Sequence, residues 1–88
     1  MDYKELGRQI GVLVERKQIE YGDAVSVTAD VLRFLYPNGV DGEDFRDLLL
    51  VTRVVDKLCR VANGNQGEEN AWQDIAGYGL LGMAQGIR

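Results

Sequence analysis

Apolar residues recur at three- and four-residue spacing through most of this chain, which is the pattern of amphipathic helices. The first stripe runs from Tyr3 to about Ile19 and predicts a helix there. Asp2 followed by Glu5 forms a capping box at its start, because the two side chains can each bond a free backbone N–H.

A break at Gly22 and Asp23 separates this stripe from the next. Glycine adopts the left-handed conformation that ends many helices, and aspartate is a frequent N-cap. We therefore predict a second helix over 24–36. Residues 25–28 alone would also suit a strand, but the apolar period of the whole segment is nearer 3.6 than 2.

Two further helices are predicted in the second half of the chain. The sequence Pro37-Asn38-Gly39 favours a turn, and Asp41 opens a long helix from 43 to about 63. A polar, glycine-rich loop follows, and a fourth helix is expected over about 68–85.

These elements predict an all-α fold: a single domain over residues 1–88, built as a small bundle of three to four helices. A hydrophobic content of 45% is high for the small surface of 88 residues, so we expect a homo-oligomer. Gly79 and Gly82 each cost a helix about 1 kcal/mol, which predicts close backbone packing within the chain or between subunits. The predicted core of the last two helices is Phe45, Leu48, Leu49, Thr52, Val55, Leu58 and Cys59, with Trp72, Ile75, Leu81 and Ala84.

Composition excludes several functional classes. With 10 basic and 14 acidic residues the net charge is −4, which is unsuited to duplex nucleic acid or anionic membranes. The chain has no histidine, which removes histidine-based catalysis and most zinc sites. The lone Cys59, with no signal-peptide pattern and no long apolar stretch, is typical of a cytoplasmic protein.

Four cations share one face of the third predicted helix: Arg46, Arg53, Lys57 and Arg60. A solvated charged face explains Arg46 and Arg53 equally well. Lys57 and Arg60 instead flank the apolar Leu58-Cys59 pair near the expected seam with the fourth helix. Arginine binds phosphate oxygens two at a time and lysine acts as a point charge, so we expect this pair to bind an anion such as phosphate.

Asp74 and Tyr78 lie one turn apart on the fourth predicted helix. Asp74 is expected either to pair with Lys57 or Arg60, or to accept hydrogen bonds from a ribose or base on which Tyr78 stacks. The two roles are compatible.

The break between the first two helices supplies the last candidates. Tyr21, beside Gly22, forms one wall of a ligand cleft with Arg16 reaching in, or else covers the end of the bundle. Glu20 and Asp23 have a spacing suited to Mg²⁺ only if one helix spans both, and Gly22 opposes that. We therefore predict neither a metal site nor a cofactor.

The order Tyr21-Gly22-Asp23, then Lys57-x-x-Arg60, then Asp74-Ile75-Ala76-Gly77-Tyr78 resembles the nucleotide-modification-associated domains, small helical proteins encoded by phages. The likeness covers residues 16–81. It implies a phage origin, a location in the host cytoplasm and a role with nucleotides. The site residues that it implies are those of the three motifs: Tyr21, Gly22, Asp23, Lys57, Arg60, Asp74, Gly77 and Tyr78.

The expected function is a non-catalytic nucleotide binder that sequesters a nucleotide immune signal of the host, by analogy with small oligomeric phage sponges. A magnesium-dependent nucleotide hydrolase, or an accessory of nucleotide modification, is the first alternative. A helical adaptor that binds a host protein through its glycine-rich face is the second.

Overall fold

The computed structural model describes residues 2–64 and 67–86 and contains no strand in those ranges, which confirms the all-α class. A single 3-10 turn, Gly42–Asp44, precedes the third helix. The four helices are α1 Tyr3–Tyr21, α2 Ala24–Leu35, α3 Phe45–Ala62 and α4 Ala71–Gly86.

The predicted N-caps Asp2 and Asp23 are confirmed: Asp2 accepts a hydrogen bond from the Glu5 backbone N–H at 2.8 Å, and Asp23 accepts one from Ser26 at 3.5 Å. The Glu5 carboxylate instead accepts from the side chains of Arg8 and Gln9, so the reciprocal half of the predicted capping box is not observed in the described residues. Gly22 has a φ of 65° and closes α1, as predicted.

The start of α4 differs from the prediction by three residues. The helix begins at Ala71 because Asn70 acts as its cap: the Asn70 side-chain oxygen accepts from the Trp72 backbone N–H at 3.0 Å. The preceding Glu68 and Glu69 therefore lie in the loop.

α3 is the central helix, and α1, α2 and α4 all pack against it. The turn between α1 and α2 meets the far end of α3. A Cβ atom on Gly22 would lie 2.8 Å from the Asn63 side-chain nitrogen, so a larger residue at this position would require the Asn63 side chain to move.

The core within one chain is small, and much of its predicted membership is wrong. Phe45, Leu49, Leu58, Trp72, Leu81 and Ala84 are exposed. Helical periodicity identifies a face that is apolar, but it does not supply a neighbour to cover that face. The buried residues among those described are Thr28, Val55, Cys59, Arg60 and Ala71.

Gly79 and Gly82 of α4 differ in their surroundings. A Cβ on Gly82 would lie 3.7 Å from Leu50 of α3, an ordinary contact, whereas Gly79 has open space around it. Close backbone packing within the chain is therefore absent at Gly79. None of the described helices is long and apolar enough to cross a membrane.

Candidate functional site

The Tyr21 hydroxyl joins three elements at the end of α1. It accepts hydrogen bonds from Lys57 Nζ and from Arg60 Nη1, each at 3.2 Å, and it faces the Glu69 carboxylate at 3.5 Å. Tyr21 lies at the last residue of α1, the two cations lie on α3, and Glu69 lies in the loop before α4. We call these four residues the Tyr21 cluster.

Arg60 forms the buried floor of this cluster. Its side chain is 1% exposed, and Nη1 contacts the Glu69 carboxylate at 2.9 Å. The hydrogen bond to Tyr21, together with the charges of Glu69 and Glu20, raises the pKa of Arg60 despite its burial. Arg60 therefore carries its charge permanently and holds Tyr21 in place.

Lys57 is the more accessible cation of the cluster. Its ammonium lies 3.3 Å from Asp74 and 3.6 Å from Glu69, which confirms the predicted ion pair between the third and fourth helices. Burial lowers the pKa of Lys57, but hydrogen bonds to Tyr21 and Asp74 and the Asp74 charge outweigh burial and raise it overall.

Two tyrosine rings are faced by cations. Lys17, Lys57 and Arg60 lie 5.5–5.6 Å from the centre of the Tyr21 ring. At the second ring, that of Tyr78, the Arg53 guanidinium lies 5.9 Å from the ring centre. These are cation–π distances, so the cations are held near the rings.

An open cavity of about 390 Å³ lies between these two tyrosines. Its size is within the range of small-molecule sites, and three cations face it against a single carboxylate. The polar and aromatic residues that line it are Lys17, Gln18, Tyr21, Arg53, Asp56, Lys57 and Tyr78.

Asp56 is the carboxylate of this cavity, and a hydrogen bond from α2 fixes its side chain. The buried Thr28 hydroxyl of α2 donates a hydrogen bond to Asp56 Oδ1 at 2.9 Å. One oxygen of Asp56 is thereby occupied. Its other oxygen is suited to accept from a donor on a ligand.

The cavity brings together only part of the predicted site. Tyr21, Lys57 and Tyr78 line it, as does Arg53. Arg16 is exposed on α1 outside the lining, and Arg46 is exposed one heptad before Arg53.

Two predicted residues lie behind the wall of the cavity. Arg60 is buried under Tyr21, so direct contact between Arg60 and a ligand in this cavity is excluded by its position. Asp74 pairs with Lys57 without lining the cavity. Both therefore act on the cavity through the side chains that they hold.

Sequence reasoning missed three residues. Lys17 follows Arg16 directly, and its position four residues before Tyr21 places it on the tyrosine's face of α1. Asp56 lies one turn after Arg53 on α3, so the same spacing rule would have found it. Glu69 lies in an irregular loop, and no periodicity signals its contact with Arg60.

Cys59, which precedes Arg60 on α3, is the single thiol of the chain. Burial, aided by the Asp56 charge, raises the pKa of the Cys59 thiol, which opposes a nucleophilic thiolate. Within residues 2–64 and 67–86, no group of three or more cysteine, aspartate or glutamate side chains is placed to hold a metal ion.

Comparison with models of protein families, with curated proteins and with solved structures gave no match to this chain.

Proposed function

We propose that the chain binds a nucleotide without altering it, and that it sequesters a nucleotide immune signal in a phage-infected host. The observation that carries the proposal is the cavity between Tyr21 and Tyr78, where Lys17, Arg53 and Lys57 face one carboxylate. The local charge is positive although the chain as a whole has a net charge of −4. Such a site attracts a small anion without attracting extended polyanions.

The phosphate end of the nucleotide is assigned to the cations. Arg53 is exposed and offers a planar fork of donors, while Lys17 adds a point charge from the opposite side. Lys57 is already paired with Asp74, so its side chain is fixed in position. It contributes positive charge to the cavity from that position.

The base is assigned to the aromatic side of the cavity. Tyr78 offers a ring face for stacking once Arg53 turns toward phosphate, and Asp56 offers one free carboxylate oxygen to an amino or hydroxyl donor. An aromatic face, an acceptor and a cationic end together match a nucleotide better than inorganic phosphate.

The resemblance to nucleotide-modification-associated domains supports the same ligand class, because its motif residues Tyr21, Lys57 and Tyr78 meet at this cavity. Phage origin and assembly as a homo-oligomer in the host cytoplasm are parts of this proposal.

A matched pair of arginine variants tests the ligand. We expect nucleoside triphosphates or cyclic dinucleotides to bind the wild-type chain in calorimetry. Arg53→Ala should weaken binding by at least about tenfold through loss of a charge-assisted contact. Arg46→Ala removes the same charge from the same helix outside the cavity and should leave affinity unchanged.

The fate of the bound nucleotide separates sequestration from catalysis. After incubation with Mg²⁺ and heat release, chromatography should recover the nucleotide intact. A converted nucleotide would identify the hydrolase alternative instead. If none of the nucleotides binds, or if both arginine variants weaken binding equally, the proposed site is wrong.

A further inference from the structure

The N-terminal two-thirds of α1 carries an apolar face that nothing in the described chain covers. The residues on this face, the N-terminal stripe, are all exposed, and α1 has no buried residue. They recur at the three- and four-residue spacing of a helix–helix contact. The N-terminal stripe consists of Tyr3, Leu6, Ile10, Leu13 and Val14.

The same face becomes a packing face farther along the helix. Lys17 and Tyr21 continue the spacing of the stripe, and there the helix meets α3 through the Tyr21 cluster. Gly7 lies within the stripe, and a Cβ there would meet no atom within 4 Å, so the backbone is open to close approach. α1 therefore has one contact face, and only its last turns pack against α3 within the described chain.

The surface area of the chain shows how much is left uncovered. The accessible surface is 6746 Å² for 9.8 kDa, whereas a compact chain of this mass exposes about 5,200 Å². The radius of gyration is 15.8 Å, against about 12 Å for a compact domain of this length. A standard protein interface removes about 800 Å² from each partner, so the excess is more than one such interface requires.

We infer that the N-terminal stripe is covered by the same stripe of a second copy, with the two α1 helices antiparallel about a two-fold axis near Ile10. Two-fold pairing is the commonest way for identical chains to cover one face. In this register Leu6 of one copy lies beside Leu13 of the other. Ile10 meets its own counterpart.

Charge favours the antiparallel direction. The stripe is preceded by Asp2 and followed by Arg16 and Lys17. A parallel pair in register would set Lys17 against Lys17, which is repulsive. The antiparallel pair instead brings Arg16 of each helix toward Asp2 of the other.

The pairing also completes the site of each chain. Lys17 is the stripe's next position and lines the cavity, so Tyr3 of the second copy comes to the cavity rim beside it. Tyr3 is 92% exposed within one chain and is free to occupy that place.

Substitutions at two residues with similar exposure, one on the stripe and one opposite it, test the interface. Ile10 is 58% exposed on the stripe, and Val12 is 56% exposed on the opposite side of α1. We expect the wild-type chain and Val12→Glu to sediment as dimers over a range of protein concentrations. Ile10→Glu should weaken dimerisation by more than about a hundredfold, because two facing carboxylates would be desolvated together. Both variants should keep the helical circular dichroism of the wild type.

A disulfide tests whether Ile10 lies at the contact, without depending on the stability of a weakened dimer. Ile10→Cys should form a covalent dimer on mild oxidation, since its two copies meet at the axis, whereas Val12→Cys should not. Cys59 is buried and is the same in both variants. A monomeric wild type, equal sedimentation of the two glutamate variants, or equal cross-linking of the two cysteine variants would overturn the inference.

Discussion

The two ends of α1 present one continuous face of a single helix, yet they are held in different ways. At the C-terminal end, Tyr21 receives hydrogen bonds from two cations of α3 and contacts the loop before α4. At the N-terminal end, apolar side chains such as Leu6 and Ile10 are exposed in the described structure. The polar end is therefore held by contacts within the chain. The apolar end remains exposed, so covering it with another molecule would be favourable.

The largest expected effect on stability comes from removing the buried Arg60 side chain at the polar end. Arg60→Ala should lower the free energy of unfolding by about 3 kcal/mol, because a buried cation with two hydrogen-bond partners is lost. Urea denaturation followed by circular dichroism measures this. Arg46→Ala, on an exposed site of the same helix, is the control and should change stability by less than about 0.5 kcal/mol. Equal effects of the two variants would show that the Tyr21 cluster does not stabilise the fold.

A smaller effect is expected from a single oxygen. Tyr21→Phe keeps the ring beside its cations but removes the hydroxyl, so stability should fall by about 1–2 kcal/mol. Tyr3→Phe makes the same chemical change at the exposed end of α1 and should be neutral in dilute protein. A neutral Tyr21→Phe would mean that ring contacts alone hold α1 to α3.

Hydrogen exchange should show the contrast directly within one helix. In the Ile10→Glu variant, which we expect to be monomeric, amides of residues 7–14 should exchange on the order of tenfold faster than those of residues 18–21. A helix segment without tertiary contacts opens locally more often than one that is packed against a neighbour. In the wild type at high concentration, the difference should shrink as the stripe is covered. Uniform exchange along α1 in the variant would contradict the contrast.

The smallest effect is the pH dependence of the polar end. Folding raises the pKa of Lys57 above its ordinary value of 10.5, so its contribution to stability is complete below that pH. The contribution is lost as the pH rises through the higher folded value. Stability measured in urea should therefore fall more steeply above pH 10.5 in the wild type than in Lys57→Met, which lacks this ammonium group. Parallel curves would show that Lys57 does not cause the loss.

Helices and polar pairs were predictable from the sequence because they follow local spacing. The Lys57–Asp74 pair is an example: each residue lies on the face of its helix that the apolar pattern turns toward the other. The position of Gly22 at the end of α1 follows equally from its conformational freedom. Each of these features follows from the position of a residue within its own helix.

Burial was not predictable in the same way. Phe45 and Leu49 lie on the apolar face of α3, yet more than half of each is exposed in the described structure. Arg60 is buried although charged, because Tyr21 and the loop residue Glu69 converge on it from distant parts of the sequence. Periodicity contains no information on such convergence.

The contact between Gly22 and Asn63 has a mechanical consequence. α1 is held at this end, and Tyr3 lies about 28 Å along the helix from Gly22. A rotation of α1 by about 10° about Gly22 would carry Tyr3 through about 5 Å. A small change of angle at the Tyr21 end therefore corresponds to a large displacement at the other end.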